Sequence, residues 1–452
     1  MLRHTTNSQS DLSAQWKRTN AIPSFPEAHS SINVPLEASW IKKFLAFLGP
    51  GLLVAVGYMD PGNWATGIEG GSRFGYMLLS VILISNLFAI LLQHLSIKLG
   101  VVAQRDLAQA CRDHYSKGVN FFLWILCELA IIACDLAEVI GSAIALNLLF
   151  HIPLAWGVII TALDVLVILF LQHKGFRYVE IIVAVLIITI FMCFGFEMIS
   201  AKPSMSSIMK GLVPSYEIIR NPQALYIAIG ILGATVMPHN LYLHSSLIQT
   251  RNYPRTKEGK KMAIRYASWD STISLSLAFF VNAAILILSA AVFHKSGYRE
   301  LNDITDAYKL LSPLVGSSLA SILFAVALLA CGQNSTLTGT LAGQIVMEGF
   351  LNFRINPWLR RLITRLLAII PAMIIGFYYG EKQTAQLLVF SQVVLSMQLS
   401  FAILPLIKFT SDKKKMGEFT NSKFLRIISY IIAFVIIFLN LTLLYESIKE
   451  YF

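Results

Sequence analysis

Gly57-Tyr58-Met59-Asp60-Pro61-Gly62-Asn63 is the stretch on which the fold turns. It interrupts a long apolar run, and a second interruption, Ala234-Thr235-Val236-Met237-Pro238-His239-Asn240, has the same form. Aligned, Asp60-Pro61-Gly62-Asn63 faces Met237-Pro238-His239-Asn240, with Pro second and Asn fourth in both. Proline removes a backbone donor and clashes with the preceding turn, so each motif breaks a helix. A plain proline kink does not explain why Asp60, Asn63, His239 and Asn240 gather at the breaks. Asp60 also suits the cap of a helix restarting at Pro61, and a cap can serve as a ligand as well.

The surrounding sequence is that of a membrane protein. The chain has 452 residues, 56% hydrophobic and only 13% charged, about half the charged share of a soluble domain. Its mean hydropathy is +0.65. So little charge cannot cover a water-facing surface. A cytosolic enzyme, a disordered chain and a secreted disulfide scaffold are excluded. The five cysteines (Cys111, Cys127, Cys134, Cys193, Cys331) form no CxxC pair and read as helix-packing residues.

Eleven apolar runs can be counted, near 44–70, 74–97, 120–149, 152–172, 177–199, 224–249, 268–293, 314–345, 358–378, 386–407 and 424–447. Each is long enough to cross a hydrocarbon core of about 30 Å as a helix. With the N-terminus inside, 21 Lys and Arg fall on inside connections and nine on outside ones, as the positive-inside rule requires. This predicts a multi-pass protein of the cell membrane, N-terminus cytoplasmic and C-terminus external. The net charge of +11 then reflects topology and contact with anionic lipid, and nucleic acid is not needed. Residues 1–43 read as a polar cytoplasmic tail, a mobile tether. Residues 44–199 form a first five-span unit, 200–223 an external loop, 224–407 a second unit, and 408–452 a loop and the eleventh span.

The two breaks are five spans apart. Five is odd, so the second unit enters the membrane from the opposite side, the pattern of an inverted repeat. In lipid the carbonyls freed at a break must find partners, and matched breaks in two halves point to a binding site at the midplane. Asp60 offers a carboxylate, Asn63 an amide oxygen, Met237 a thioether, and the unwound carbonyls near Gly57 and Ala234 further oxygens. Hard ions such as Mg²⁺ and Ca²⁺ gain nothing from sulfur, whereas softer transition ions do. Mn²⁺ and Fe²⁺ fit this set, with Cd²⁺ and Co²⁺ as further candidates and no permanently bound cofactor.

Ionisable residues inside spans are functional candidates. Span three carries Glu128, Asp135 and Glu138, with Asp135 and Glu138 on one helix face, span nine carries Arg365, and His239 sits at the second break. Such a network can carry protons, or it can be a static salt bridge between Asp135 or Glu138 and Arg365. His94 and His244 read as packing residues and Asp164 is ambiguous. Gln392, Gln398 and the 332–336 segment read as polar glue between helices.

These motifs resemble those of the Nramp family of proton-coupled divalent-metal transporters, with Asp60-Pro61-Gly62-Asn63 and Met237-Pro238-His239-Asn240 matching its two signatures. The likeness runs over roughly residues 44–447. It implies an all-α integral membrane protein of LeuT-like fold: 11 transmembrane helices, two inverted five-helix repeats, and broken helices 1 and 6. It implies metal binding by the side chains of Asp60, Asn63 and Met237 and by the Ala234 carbonyl, with Gln392 joining in some conformations. It also implies a proton route over Asp60, Glu138, Asp135, His239 and Arg365, with Glu128 nearer the inner end. Gly57 stands where Ala is common, which spares the backbone carbonyl, and Ser400 stands where Pro is common. Met237 argues against the Mg²⁺-transporting relatives.

The expected function is proton-coupled import of Mn²⁺ or Fe²⁺ by alternating access. The alternative is a sodium-coupled amino-acid carrier on the same fold, but Asp60 at the site disfavours an anionic solute. A membrane enzyme has no HExxH, GxSxG or P-loop in this sequence. A passive divalent channel would not need the ionisable groups of spans three and nine.

Overall fold

Pro61 and Pro238 each open a helix, a position where the missing N–H is not needed and the fixed φ suits entry. The computed structural model describes residues 16, 23–26, 28–35, 37, 39–162, 176–299, 301, 303–353, 355–379 and 381–451. Almost all regular structure among them is helical. The first span is in three pieces: α1 (Trp40–Phe47), α2 (Pro50–Gly57) and α3 (Pro61–Phe74). It starts slightly earlier than the hydropathy suggests, and α1 and α2 meet at a bend of 43°. There follow α4 (Leu79–Ala103), a short α5 (Leu107–His114), α6 (Lys117–Phe150), α7 (Leu154–Ala162) and α8 (Phe176–Ala201). Two short helices, α9 (Met205–Gly211) and α10 (Glu217–Arg220), occupy the loop before the second unit.

The sixth span is broken into α11 (Pro222–Thr235) and α12 (Pro238–Leu247). The remainder is α13 (Lys257–Ser289), α14 (Ile304–Val315), α15 (Ser318–Leu351), α16 (Pro357–Tyr379), α17 (Glu381–Thr410), α18 (Lys413–Met416) and α19 (Lys423–Tyr451). Among the described residues eight helical stretches are long and apolar enough to cross a membrane, or nine with the bent pair α1–α2. The runs expected at 152–172 and 358–378 correspond to α7 and α16. Residues 163–175, including Asp164, lie outside the described residues.

The freed carbonyls at the first break find partners, as lipid surroundings demand. Asn282 Nδ2 of α13 donates to the Tyr58 carbonyl at 2.7 Å, and Asn240 Nδ2 of α12 reaches the Val54 carbonyl at 3.5 Å. Small residues let the broken helices approach their neighbours. A Cβ on Gly62 would lie 1.8 Å from Gln392 Nε2, and one on Gly233 would lie 2.0 Å from the Gln392 carbonyl. Gln392 of α17 is thus seated between the two broken spans, against one glycine by its side chain and the other by its backbone. All five cysteines are buried and free.

The described residues of the N-terminal segment are packed and paired, in place of the expected mobile tether. Ile32–Asn33 (β1) pairs in parallel with Arg251–Asn252 (β2), and Trp16, Phe25, Ala28 and Val34 are buried. Isolated apolar residues in a polar stretch carry no periodic signal, so hydropathy does not register them.

Candidate metal site

Asp60 is the N-cap of α3 and wholly buried. Its Oδ1 accepts from the Asn63 backbone N–H and from Asn63 Nδ2, both at 2.8 Å. The same Nδ2 donates to the Ala234 carbonyl at 3.2 Å. Both acceptors lack hydrogens, so the amide must present its nitrogen to them. Asn63 is therefore a direct link between the two breaks. Asp60 Oδ2 has no hydrogen bond among the described residues, and the Asp60 carboxylate lies within reach of the Gln392 amide. Gln392 Nε2 donates to Ser391 Oγ at 3.0 Å, while its Oε1 makes no hydrogen bond among the described residues.

Met237 forms the head of α12 in extended backbone, and its buried side chain packs with Ala133, Cys134 and Leu395. Gly57 closes α2 against the Asn240 amide. Among the described residues no three His, Cys, Asp or Glu side chains converge as a metal cluster. The donors on hand are one carboxylate, amides, a carbonyl and a thioether. That set suits a borderline transition ion held loosely more than a resident zinc ion, which takes three or four His, Cys or carboxylate ligands.

Cys134 connects the breaks to the acidic face of α6. Its Sγ lies 3.5 Å from Glu138 Oε1 and 3.9 Å from His239 Nε2. Ser335 Oγ of α15 donates to the same Glu138 oxygen at 2.9 Å. Arg365 of α16 reaches Glu138 Oε2 only at 3.9 Å and bonds Thr336 Oγ1 at 2.8 Å. The pair is at the edge of contact, so Glu138 and Arg365 are not locked as a tight salt bridge. Asp135 lies one turn before Glu138, fully buried and within electrostatic reach of His239.

Glu128 stands apart from this group. Arg360 Nη2 bonds both its oxygens, at 2.9 and 3.0 Å, and Trp124 Nε1 donates to it at 3.0 Å. Sequence reading did not single out Arg360, because Glu128 and Arg360 are 232 residues apart. It also missed two further groups. Gln93 Nε2 donates to Tyr58 Oη at 2.7 Å while Gln93 Oε1 lies 3.0 Å from His244 Nδ1, a chain running behind the first break. Buried Arg251 bonds Glu180 Oε1 at 2.8 Å and the carbonyls of Leu48 and Ala46 at the α1–α2 bend. His94 meets Ser268 Oγ at 2.8 Å, so both histidines read as packing residues have polar partners.

The chain as a whole is similar to known proteins. The profile of the family described as natural resistance-associated macrophage protein-like, or Nramp, matches residues 51–446. A protein of Listeria innocua named divalent metal cation transporter MntH is 63% identical over 435 residues, covering 96% of this chain and 97% of that one. The crystal structure of an Eremococcus coleocola manganese transporter is similar with a TM-score of 0.86 at 44% identity, covering 93% of this chain and 90% of that one. The structure of MhsT in complex with L-phenylalanine is similar in fold alone, with a TM-score of 0.59 at 15% identity, covering 86% of this chain and 98% of that one.

Proposed function

The chain belongs to the Nramp family, and from that premise we propose that it imports Mn²⁺ or Fe²⁺ with protons by alternating access. It is a multi-pass membrane transporter, not an enzyme, and its broad substrate class is divalent metal cations. The single observation that carries the finer reading is the Asn63 bridge. One amide joins the only acidic side chain at the breaks, Asp60, to the Ala234 carbonyl of the other broken span. An ion bound there would take oxygens from Asp60, Asn63 and Ala234 and sulfur from Met237, with Gln392 beside Asp60 as a further oxygen donor. Gly57 would contribute its carbonyl from the end of α2.

The proton would move over Asp60, His239, Asp135, Glu138 and Arg365, with Glu128 and its partner Arg360 further along α6. Cys134, between His239 and Glu138, supports continuity of this route. The loose Glu138–Arg365 contact supports it too, because a group that exchanges protons needs a partner it can leave. The N-terminus would face the cytoplasm and the C-terminus the exterior. An inside-negative potential then favours cation entry by about 2.3 kcal/mol per charge per 100 mV. The amino-acid carrier alternative has only a likeness of fold behind it.

The test is Mn²⁺ uptake into proteoliposomes with internal pH followed in the same vesicles. Uptake with acidification, both lost in Asp60→Ala, is the expected result. Uptake without acidification would refute proton coupling and leave the metal site standing. No uptake by correctly folded protein would refute the cargo.

A further inference from the structure

Residues 23–26 and 28–34 lie across the face from which the chain enters, and they join elements distant in sequence. The Phe25 N–H donates to Glu348 Oε2 at 2.9 Å, at the end of α15. Further along, β1 pairs with β2 just beyond α12. The Ser30 N–H donates to the Gln249 carbonyl at 2.9 Å, the Val34 N–H to the Asn252 carbonyl at 3.2 Å, and Asn252 Nδ2 to Asn33 Oδ1 at 3.0 Å. Val34 is buried with Phe47 of α1, Ile97 of α4 and Met416 of α18. Upstream, the buried Trp16 ring has Arg105 Cζ 4.8 Å and Lys415 Nζ 5.2 Å from its centroid and meets Phe409 of α17 edge-on at 5.7 Å. The segment is thus attached at once to the ends of spans six, eight and ten.

An ion held between the breaks of spans one and six leaves toward this face only if the ends of the surrounding spans part. A strip of chain bonded to α15 on one side and to the end of α12 on the other opposes that parting. We propose that Trp16 and residues 23–26 and 28–34 form a latch that holds this face of the transporter shut and is released in each opening toward it. The inference rests on the alternating-access reading above. Its physical basis is local: backbone hydrogen bonds that a chain can break and remake, together with a few buried apolar anchors. The polar character of the rest of the segment keeps the released state soluble, so the latch can act reversibly.

The test is a spin-label distance measurement on the full chain in lipid nanodiscs, without metal. Labels go on Lys261→Cys and Phe353→Cys, both exposed near the ends of spans seven and eight at this face, while the five native cysteines are buried. The latched protein is expected to give mainly the shorter distance. Deletion of residues 1–34, or Trp16→Ala with Phe25→Ala, should raise the longer-distance population relative to the shorter by at least about tenfold, since either variant removes two buried aromatic anchors. Should the deletion fail to fold, the double point variant decides. Identical distances in latched and unlatched proteins overturn the latch. Distances that open on deletion but never respond to Cd²⁺, a diamagnetic stand-in for Mn²⁺, uphold the latch and count against the cargo reading.

Discussion

Arg251→Met tests how the bend of the first span is held. The side chain is fully buried and donates to Glu180 Oε1 at 2.8 Å, the Leu48 carbonyl at 2.8 Å, the Ala46 carbonyl at 3.2 Å and Thr250 Oγ1 at 2.7 Å. Methionine fills much of the same volume and offers no donor. Removing one partner of a buried ion pair costs about 3–5 kcal/mol, because the other charge is left without compensation. Here Glu180 keeps Arg177 on its second oxygen at 2.7 Å, although Arg177 is 48% exposed and screened by solvent. That places the expected loss near the lower end, about 3 kcal/mol. Glu180→Leu with Arg251→Met removes the stranded carboxylate, leaving the cost of the carbonyls that lose a donor, about 1–2 kcal/mol. The double variant should therefore be more stable than Arg251→Met alone by about 1–2 kcal/mol, and its loss should be smaller than the sum of the two single losses. Thermal unfolding midpoints of the purified proteins in one detergent give the comparison. A double variant whose midpoint falls by the sum of the two single losses would show that the residues do not act as a pair, and the reasoning fails.

Three further outcomes follow from the same geometry. Met237→Leu keeps the packing against Cys134 and Leu395 but removes the sulfur, so discrimination of Mn²⁺ against Ca²⁺ in competitive uptake should fall about tenfold, or 1.4 kcal/mol. Equal loss for both ions would remove the thioether from the site. Glu138→Gln should preserve Mn²⁺ binding measured by calorimetry while abolishing acidification of the vesicle interior, and acidification at the wild-type rate would take Glu138 off the proton route. Gly62→Ala and Gly233→Ala should each destabilise by about 1–3 kcal/mol through overpacking. Only the first should be relieved by Gln392→Ser, since the second meets a backbone oxygen; equal relief, read from melting midpoints, would contradict the seating of α17.

The two breaks are legible in sequence because proline and its polar neighbours stand out from an apolar run. Asp60 and Asn63 follow, since a cap and its third residue are local in the chain. Gln392 is different. Its place depends on Gly62 and Gly233 letting a third span approach, and glycine in an apolar run has many other uses. Arg360 and Arg251 meet their carboxylates only through tertiary packing, with partners 232 and 71 residues away. The spacing of Asp135 and Glu138 puts them on one face of α6, but only the packed structure brings Cys134 between Glu138 and His239 or leaves Arg365 at arm's length. The N-terminal segment escapes for a further reason. Its anchors are single residues, and a hydropathy window averages each of them with polar neighbours.

The Asn63 amide has a consequence for turnover. Its Nδ2 holds Asp60 and the Ala234 carbonyl together, which are two of the oxygens an arriving ion would claim. On the proposed site, cargo and this internal bond would compete for Asp60 Oδ1 and the Ala234 oxygen. For Asn63 to give the ion its oxygen, as proposed, the amide would have to swing round, nitrogen out and oxygen in, and the hydrogen bond given up to a charged group is worth about 1.5–3 kcal/mol. That energy is returned when the ion departs. On the proposed site the amide would thus act as a displacer: it would shorten the residence time of an ion it helps to bind and would bridge the two broken spans again once the ion has left.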